Sequence, residues 1–243
     1  MYIFQLYHQI SKQKALSAKR ERPAVVIPDE WKTTYIKFYE RFPLIAFPAA
    51  TNNDKAPLFS TILNRRSGRV FGNTLDKQLL SNLFYFSIGE TDNKKGDGIG
   101  RRVYPSAGTR YPLEFYVVVF KDIENITQGI YHYDIQAHGL RKIREYVFDS
   151  AYVAQKLGYS FVEHATFGVI FTACFTRSSQ KYGEKAYKYI LLEAGAAMQN
   201  FSLVSESLSI NSVSLGSLGE DFFEPLLDID GSEESMVHLM FFG

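Results

Sequence analysis

Apolar residues along the chain follow two kinds of pattern: short runs or alternations that are typical of strands, and three- and four-residue spacings that are typical of helices. The first kind predicts strands at Leu113–Phe120, Gly129–Asp134, Gly139–Arg144, Thr166–Phe175, Val213 and Met236–Phe242. The second and third of these are expected to pair as a hairpin, because Tyr131 and Tyr133 alternate with His132 and a short segment separates the two strands.

Helical spacing predicts several helices, one of which is much longer than the rest. They are Trp31–Phe42, Leu58–Arg66, Leu75–Ile88, Ser150–Leu157, Lys185–Leu208 and Phe222–Leu227. Thr74 is the expected N-cap of the third, and Arg65 and Arg66 form the expected last turn of the second. Lys185–Leu208 carries two apolar stripes, which predicts a central, buried helix.

Hairpins and long helices occur together, and few strands are separated by the crossovers that parallel sheets need. This combination predicts an α+β fold, in which a central mixed or antiparallel sheet is flanked by helices around Lys185–Leu208. Pro43, Pro48 and Asn52–Asp54 are typical of a linker. They predict an N-terminal helical or docking region, residues 1–55, ahead of a main domain at 56–243.

The composition indicates a globular protein without a general affinity for nucleic acid or membranes. Of 243 residues, 46% are hydrophobic and 15% aromatic, enough for a sizeable core. The formal net charge of +1 gives no drive toward nucleic acid or anionic lipid, and no stretch approaches the ~18 apolar residues of a membrane helix. Basic residues cluster within 12–22, which predicts either a solvated face or a docking arm for an acidic partner.

Cys174 is the only cysteine, so the chain cannot form an internal disulfide. It lies in an apolar run and is predicted to be a buried structural thiol, which fits a reducing cytoplasm. The five histidines are scattered without metal-ligand spacing, so no metal site is expected.

The first candidate binding segment, called here the arginine segment, is Arg65-Arg66-Ser67-Gly68-Arg69. Guanidinium groups bind phosphate bidentately, and a serine hydroxyl adds a further donor. Because the C-terminal end of a helix repels anions, the side chains and not the helix amides would do the binding. The alternative is that the arginines complete the helix end, with Gly68 as its cap.

The second candidate, called here the ring segment, is Pro105-Ser106-Ala107-Gly108, at the end of a long loop that starts at Gly89. Long loops in compact domains are often functional, and small residues let a ligand approach the backbone closely. Backbone amides in the ring segment could meet the edge of a flat heterocycle. The alternative is a stiff turn before a strand.

The third candidate is Lys181-Tyr182, called here the Lys–Tyr pair, which is predicted to lie just before the long helix. A lysine amine and a tyrosine hydroxyl can act as base and acid on a substrate proton. The alternative is an ordinary exposed helix start.

Together these segments resemble the flavin-dependent nitroreductase fold and, more narrowly, the SagB-type azoline dehydrogenases of thiazole/oxazole-modified peptide biosynthesis. Further matching motifs are Gly129–Tyr133, Glu193-Ala194-Gly195 and Gln199-Asn200. The end of the chain, Leu239–Gly243, is also similar to the dehydrogenase subunit of microcin-type azole synthetases. The resemblance covers roughly residues 57 to 243 and departs from the family at Lys185 and Lys188, where arginines are usual.

The resemblance implies a flavin mononucleotide (FMN) cofactor and a role for each segment. In the arginine segment, the residues that would hold the FMN phosphate are Arg65, Arg66, Ser67 and Arg69. The residues that would contact the isoalloxazine ring are Pro105, Ser106, Ala107 and Gly108, with Leu215 and Gly216 as a second ring-contact segment. Lys181 and Tyr182 match the family's catalytic pair. The family's flavin lies at a homodimer interface, so each site would draw on both chains.

The implied activity is FMN-dependent oxidation of azoline rings on a precursor peptide to thiazoles or oxazoles, in the maturation of a bacteriocin-like product. Lys181, helped by Tyr182, would remove a ring proton while a hydride passes to the flavin. In the family the N-terminal region helps the enzyme join a complex, which implies cyclodehydratase partners. Two other functions remain open: a nitroreductase that uses NADH or NADPH, and a non-catalytic flavin-binding scaffold subunit.

Overall fold

A computed structural model describes residues 2–12, 28, 36–52, 56–92 and 100–243. Within these residues the strands are β1 (Leu44–Ala46), β2 (Glu90–Asp92), β3 (Arg101–Arg102), β4 (Leu113–Val119), β5 (Gly129–Asp134), β6 (Gly139–Arg144), β7 (Phe167–Cys174), β8 (Ser212–Leu215) and β9 (Glu234–Phe242). Seven of the described strands form one sheet in the order β1-β6-β5-β4-β7-β9-β8. Every pairing between them is antiparallel.

Helices cover both faces of this sheet. They are α1 (Ile3–Ile10), α2 (Leu58–Asn64), α3 (Lys77–Ile88), α4 (Ser150–Leu157), α5 (Phe175–Tyr182), α6 (Ala186–Ser207) and α7 (Glu220–Leu227). On β4, Phe115 and Val117 join the core cluster shared with α3 and α6, whereas Tyr116 and Val118 join the cluster shared with α4 and α7. Because successive side chains point to opposite faces, a strand covered on both sides is apolar at nearly every position.

The long helix α6 packs on the sheet mainly through one stripe. Ile190, Ala197 and Phe201 are fully buried in the core. Of the second stripe, Met198 packs against the core, but Leu191 is 41% exposed in the single chain and its neighbour Leu192 is 67% exposed. The prediction that α6 is buried on both stripes is therefore wrong. The α+β fold with a sheet flanked by helices around a long helix is therefore as predicted, and α6 leaves an apolar surface open.

Three predicted helix boundaries are wrong, each for a local reason. The N-cap of α3 is Asp76, whose Oδ1 accepts a 2.7 Å hydrogen bond from Leu79 N–H, and not Thr74. Helix α2 ends at Asn64, because Arg65 has the extended ψ of 127°, so the arginines follow the helix. Of the predicted helix at 31–42, residues 31–35 lie outside the described part, and residues 36–42 are not helical.

The described segment before β1, residues 36–43, instead lies against the sheet and includes a turn, in which Phe42 N–H donates to the Tyr39 carbonyl at 2.9 Å. Tyr39 packs its ring on His132, with the ring centroids 4.9 Å apart, and Lys37 Nζ donates to the Tyr116 hydroxyl at 2.7 Å. Phe42 precedes a proline, and the residue before proline disfavours the helical conformation. Aromatic residues that suggested a helix thus serve as contacts to the sheet.

Among the first 55 residues, those that the structure describes contribute to the sheet as well as to its surface. β1 pairs with β6, where Ile45 lies opposite Leu140, and Phe47 is buried in the core. Helix α1 is attached through Tyr7, whose ring meets Tyr187 edge-on with centroids 5.8 Å apart. The division at residues 55 and 56 stays a prediction.

Cys174 ends β7 and is half-buried. Burial raises the pKa of the Cys174 thiol to about 12, with Arg177 opposing the shift. At neutral pH the group is therefore a protonated thiol, as expected of a structural cysteine.

Candidate functional site

The Lys–Tyr pair occupies the last turn of α5, a separate helix that begins where β7 ends. The pair lies just before the long helix, as the sequence predicts, but in a helix of its own, because the 3₁₀ turn Gly183–Lys185 separates it from α6. Gly183 closes α5 with φ of 54°, a backbone conformation that favours glycine. Burial raises the pKa of the Tyr182 hydroxyl, Tyr189 raises it further, and Arg110 opposes them. The Tyr182 hydroxyl is therefore a proton donor at neutral pH.

The ring segment meets the Lys–Tyr pair directly. Gly108 lies in a 3₁₀ turn with φ of 61°, and the side on which a side chain would project faces the Lys–Tyr pair. A Cβ atom placed on Gly108 would lie 2.3 Å from Tyr182 Oη and 2.7 Å from Lys181 Nζ. Two segments that are distant in the sequence thus meet in one close contact, called here the cradle at Gly108, which only a glycine at this position allows.

Replacing Gly108 by alanine is therefore expected to displace the Lys–Tyr pair. The new methyl group would strain the left-handed backbone, at a cost of about 1–2 kcal/mol, and would also collide with Tyr182 and Lys181. The matched control is Gly158→Ala, because Gly158 has φ of +77° but nothing within 4 Å of its added Cβ. Both variants should lose similar stability in thermal unfolding, but only Gly108→Ala should lose turnover. Equal turnover in the two would contradict this assignment.

A buried ion pair ties α5 to the centre of the sheet. Glu114 on β4 lies 2.6 Å from Arg177 Nη2 on α5 and 2.7 Å from His132 Nε2 on β5. Although burial raises the pKa of Glu114, Arg177 and His132 outweigh it and hold that pKa well below its usual range. Glu114 is thus a buried carboxylate that is fully ionised at neutral pH.

The same arginine also holds the loop that carries the ring segment. Arg177 Nη1 donates to the Tyr111 carbonyl at 3.2 Å, and Arg110 Nε donates to the Arg177 carbonyl at 2.7 Å. Arg110 is only 1% exposed. Arg110 and Tyr111, which follow the ring segment, are therefore both hydrogen-bonded to Arg177 on α5, the helix that carries the Lys–Tyr pair.

A second buried carboxyl lies next to the ring segment. Glu193 on α6 is 3% exposed, and its Oε1 has no hydrogen-bond partner among the described residues. Burial raises the pKa of Glu193 to about 7, against the opposing effects of Ser106 and Arg102. Burial and the charge of Glu193 raise the pKa of the Tyr104 hydroxyl. Glu193 therefore changes its charge near neutral pH.

The arginine segment lies at the edge of the sheet. Gly68 N–H donates to the Ser212 carbonyl on β8 at 2.9 Å. Arg66 Nη1 donates to the carbonyls of Leu63 and Arg65, both at 2.8 Å, so this arginine caps the end of α2 as the alternative interpretation expected. The C-cap residue, however, is Arg65 and not Gly68. Arg69 is exposed, with its guanidinium 5.7 Å from the Phe161 ring centroid. Ser67 is exposed and Arg65 half-buried.

The arginine segment and the ring segment lie at opposite ends of the sheet in a single chain. Ser212 is in register, through Phe242 and Phe167, with Val119 at the end of β4. The ring segment instead precedes Leu113, at the start of β4. The length of β4 alone separates the two ends by about 20 Å. Leu215 is buried at the end of β8, and Gly216 follows it, with nothing within 4 Å of an added Cβ.

Among the described residues, no group of three or more histidine, cysteine, aspartate or glutamate side chains could hold a metal ion. In the same part of the chain, no helix combines the length and apolar character needed to cross a membrane.

The family model for the nitroreductase family matches residues 62–243. The chain belongs to the nitroreductase family. The match begins within α2 and includes every segment of the candidate site, from the arginine segment to the Lys–Tyr pair and β8.

Three curated relatives extend the comparison. MJ1384 of Methanocaldococcus jannaschii, named as a nitroreductase, is 28% identical over 72% of this chain and 86% of its own length. The trifolitoxin-processing protein TfxB of Rhizobium leguminosarum bv. trifolii is 29% identical over 74% of this chain, which spans 52% of TfxB. The microcin B17-processing protein McbC of Escherichia coli is 24% identical over 77% of this chain and 74% of McbC.

Solved structures share the nitroreductase fold with this chain. A nitroreductase-like protein of Anabaena variabilis matches with a TM-score of 0.71 at 24% identity, covering 98% of this chain and 45% of the other. The E. coli microcin synthetase McbBCD, in complex with truncated pro-MccB17, matches with a TM-score of 0.60 at 20% identity over 99% of this chain and 91% of that one. A Desulfovibrio desulfuricans relative in complex with FMN matches with a TM-score of 0.53 at 18% identity, covering 78% and 86%.

Sequence reasoning missed the buried residues that support the site. Glu114 is the one charged residue in an otherwise apolar strand, and a charge there requires a buried partner. That signal could have identified Glu114, but not Arg177 as its partner. Arg110 gave no signal, because arginine is common in loops.

Proposed function

We propose that this nitroreductase-family chain is an FMN-dependent dehydrogenase that oxidises azoline rings on a precursor peptide to thiazoles or oxazoles. The observation that carries the proposal is the cradle at Gly108, where the ring segment lies against Lys181 Nζ and Tyr182 Oη. A flat cofactor ring and a proton-transfer pair need such an arrangement. The names of TfxB and McbC, which process trifolitoxin and microcin B17, support a peptide substrate.

The residues of the site suit FMN in charge and shape. The arginine segment presents exposed guanidinium and hydroxyl donors of the kind that bind phosphate. At Gly108 the ring segment has no side chain, so the Lys–Tyr pair packs directly against its backbone. Arg65, Ser67 and Arg69 are the proposed phosphate contacts, with Arg66 in part committed to the end of α2. Leu215 and Gly216 are the proposed second ring contact, where Gly216 leaves space for close approach.

In this proposal FMN, when bound, supplies the hydride acceptor, and the chain manages orientation and protons. The ring segment places one face of the azoline within reach of the Lys–Tyr pair. Lys181 accepts the ring proton at Nζ, and the Tyr182 hydroxyl hydrogen-bonds the same part of the substrate. The buried network of Glu114 and Arg177 holds α5 against the loop, so the pair stays aligned.

The proposed site is shared between two copies of the chain. Within one chain, about 20 Å separates the arginine segment from the ring segment. In this proposal a second copy of the chain therefore brings its phosphate contacts to the ring segment. Helices α1 and α2, both next to α6, expose apolar side chains: Ile3 86%, Phe4 66%, Phe59 80%, Leu63 71% and, on α6, Leu192 67%. Exposed apolar surface of this extent is typical of an interface. We therefore propose a homodimer.

Loss of the phosphate contacts is expected to weaken FMN binding. Charge-assisted hydrogen bonds to phosphate are worth about 1.5–3 kcal/mol each, so Arg65→Ala and Arg69→Ala should each raise the FMN dissociation constant about 10- to 100-fold. Binding is measured by quenching of flavin fluorescence, with Arg144→Ala on β6 as the control. A purified protein that takes up no FMN, and shows no flavin absorption, would refute the proposed function.

A nitroreductase that takes electrons from NADH or NADPH is the second candidate, favoured by the match to MJ1384. Stopped-flow reduction of the bound flavin separates the two. Rapid reduction by NADH or NADPH without any peptide, together with a failure to oxidise azoline peptides, would favour the nitroreductase.

We also propose that this chain assembles with cyclodehydratase subunits. Its support is the fold shared with a chain of the McbBCD complex, which contains a bound peptide precursor. Co-purification of the full chain with such subunits, and azole formation only in their presence, would be the expected result. A protein that binds FMN and such subunits but oxidises nothing would instead be a scaffold.

A further inference from the structure

Tyr7 joins the N-terminal helix α1 to the backbone next to the Lys–Tyr pair. In the single chain Tyr7 is half-buried, and the other residues of α1 are exposed. The Tyr7 ring meets Tyr187 edge-on, with the centroids 5.8 Å apart. Its hydroxyl donates to the Glu184 carbonyl at 3.0 Å and accepts from Lys188 N–H at 3.0 Å. Both bonds therefore go to backbone groups that follow the Lys–Tyr pair closely in the chain.

The Tyr7 hydroxyl lies between a carbonyl and an amide that are four residues apart. In a continuous α-helix, Lys188 N–H would donate to the Glu184 carbonyl. Here α6 begins only at Ala186, after the 3₁₀ turn Gly183–Lys185, and its N-cap makes no side-chain hydrogen bond. The first N–H groups of a helix need partners from outside it, and Tyr7 supplies one at Lys188. A side chain that enters the helical hydrogen-bond ladder bends the chain there, so Tyr7 keeps the turn between α5 and α6 open.

Two aromatic contacts link the first turns of α6 to the helix that carries the Lys–Tyr pair. Tyr189 on α6 meets the Tyr182 ring edge-on, with the centroids 5.0 Å apart. The ring of Tyr187, which contacts Tyr7, has its centroid 6.3 Å from that of Phe175 at the start of α5. Both ends of α5 thus pack against rings from the first turns of α6. A change in these turns would move the rings and, with them, the Lys–Tyr pair.

We propose that Tyr7 is a positioning residue, whose hydroxyl holds the turn Gly183–Lys185 open and so aligns the Lys–Tyr pair with the ring segment. This inference rests on the proposed function. Without the hydroxyl, Lys188 N–H can bond the Glu184 carbonyl directly, so the start of α6 tightens and the pair is displaced. Helix α1 thus supports the active site, although it lies outside residues 62–243, which the family model matches.

The test is the Tyr7→Phe variant of the full chain, which removes the hydroxyl and keeps the ring that packs on Tyr187. Because misplacing a reacting group by about 1 Å can cost about 10²-fold in rate, kcat for azoline oxidation should fall about 10- to 100-fold. KM and FMN affinity should stay unchanged, since the two bonds of Tyr7 go to neither the ring segment nor the arginine segment. The matched control is Tyr152→Phe on α4, where the Tyr152 ring also meets another ring edge-on, that of Phe222 at 5.8 Å. This control should keep full activity.

A spectroscopic signature separates positioning from a general loss of stability. In NMR spectra of isotope-labelled tyrosine rings, the Tyr182 signals, assigned with Tyr182→Phe, should shift in Tyr7→Phe and stay in place in Tyr152→Phe. Thermal unfolding checks that each variant is folded at the assay temperature. In a Lys181→Ala background, Tyr7→Phe should reduce the rate little further, because the base that it displaces is already absent.

The outcomes distinguish this inference from the proposed function. A wild-type kcat in Tyr7→Phe, unchanged Tyr182 ring signals, or a loss confined to KM or FMN affinity would overturn this inference alone. A wild-type chain that binds FMN but oxidises no azoline peptide would overturn the proposed function, and this inference with it.

Discussion

The Lys181→Ala variant is expected to form azoles about 10²- to 10⁴-fold more slowly than the wild type, while it keeps its FMN. The range is the usual contribution of a positioned general base. Lys181 Nζ lies close to the backbone of the ring segment but the proposed phosphate contacts are elsewhere, so cofactor affinity should change little. Mass spectrometry of an azoline peptide, which loses two hydrogen atoms per ring on oxidation, measures the rate, and flavin absorption measures occupancy.

Two control variants test whether the loss of activity comes from the missing base, from the missing positive charge or from the loss of any lysine. Lys181→Arg keeps the positive charge but cannot act as a base, so it should be as slow as Lys181→Ala. Lys156→Ala removes a lysine from α4, on the opposite face of the sheet, and should retain full activity. Tyr182→Phe should give a smaller loss than Lys181→Ala. Normal turnover in Lys181→Ala with FMN bound would refute the assignment of the base.

The same variant also tests whether two chains share each site. A Lys181→Ala chain and an Arg65→Ala/Arg69→Ala chain are each expected to be inactive alone. If the arginine segment of one chain serves the Lys–Tyr pair of the other, a mixed dimer contains one intact site. Co-expression should then restore about a quarter of wild-type activity, since about half of randomly formed dimers are mixed. No recovery would show that each site lies within one chain.

The sequence could predict the sheet because its strands are apolar on both faces. The same pattern gave the bounds of α4 correctly, where Asp149 caps the N-terminus by accepting from Tyr152 N–H at 3.1 Å and Gly158 closes the helix. Helix α5 was missed because Phe175–Tyr182 is short and mostly polar, so it has no apolar stripe. It forms because tertiary contacts bury Arg177 and Ser178.

For the site, motifs indicated which residues matter but not how they are arranged. The cradle at Gly108 joins residues more than seventy positions apart, and no local pattern encodes that meeting. Arg66 shows a different difficulty, because its sequence context fits both a phosphate-binding motif and a helix end. The fold decides between them, since the Arg66 guanidinium donates to two carbonyls at the end of α2. Pairings of distant charges, such as Glu114 with Arg177, depend on strand register and helix placement, which hydrophobic periodicity leaves open.

The Arg177→Ala variant is expected to lose about 3–5 kcal/mol in the free energy of unfolding, the usual effect of leaving a buried charge unpaired. Arg177 and Glu114 side chains are 7% and 6% exposed, so water cannot replace the lost partner. Urea unfolding measures the loss. Glu145→Ala, which removes the exposed end of the Lys142–Glu145 pair, is the control and should cost less than about 1 kcal/mol.

The pH dependence of the stability loss in Arg177→Ala gives a sharper test of the ion pair between Arg177 and Glu114. Because Arg177 holds the pKa of Glu114 below its usual range, Glu114 contributes stability that is present above the ordinary carboxyl pKa and is lost as the pH falls. Arg177→Ala should reduce this contribution, so wild type and variant should differ most at neutral pH and converge in acid. The variant should also lose turnover, because Arg177 joins the Tyr111 carbonyl to α5 and so aligns the Lys–Tyr pair with the ring segment. A stability loss that is independent of pH, with turnover intact, would show that Arg177 fills space without supporting the site.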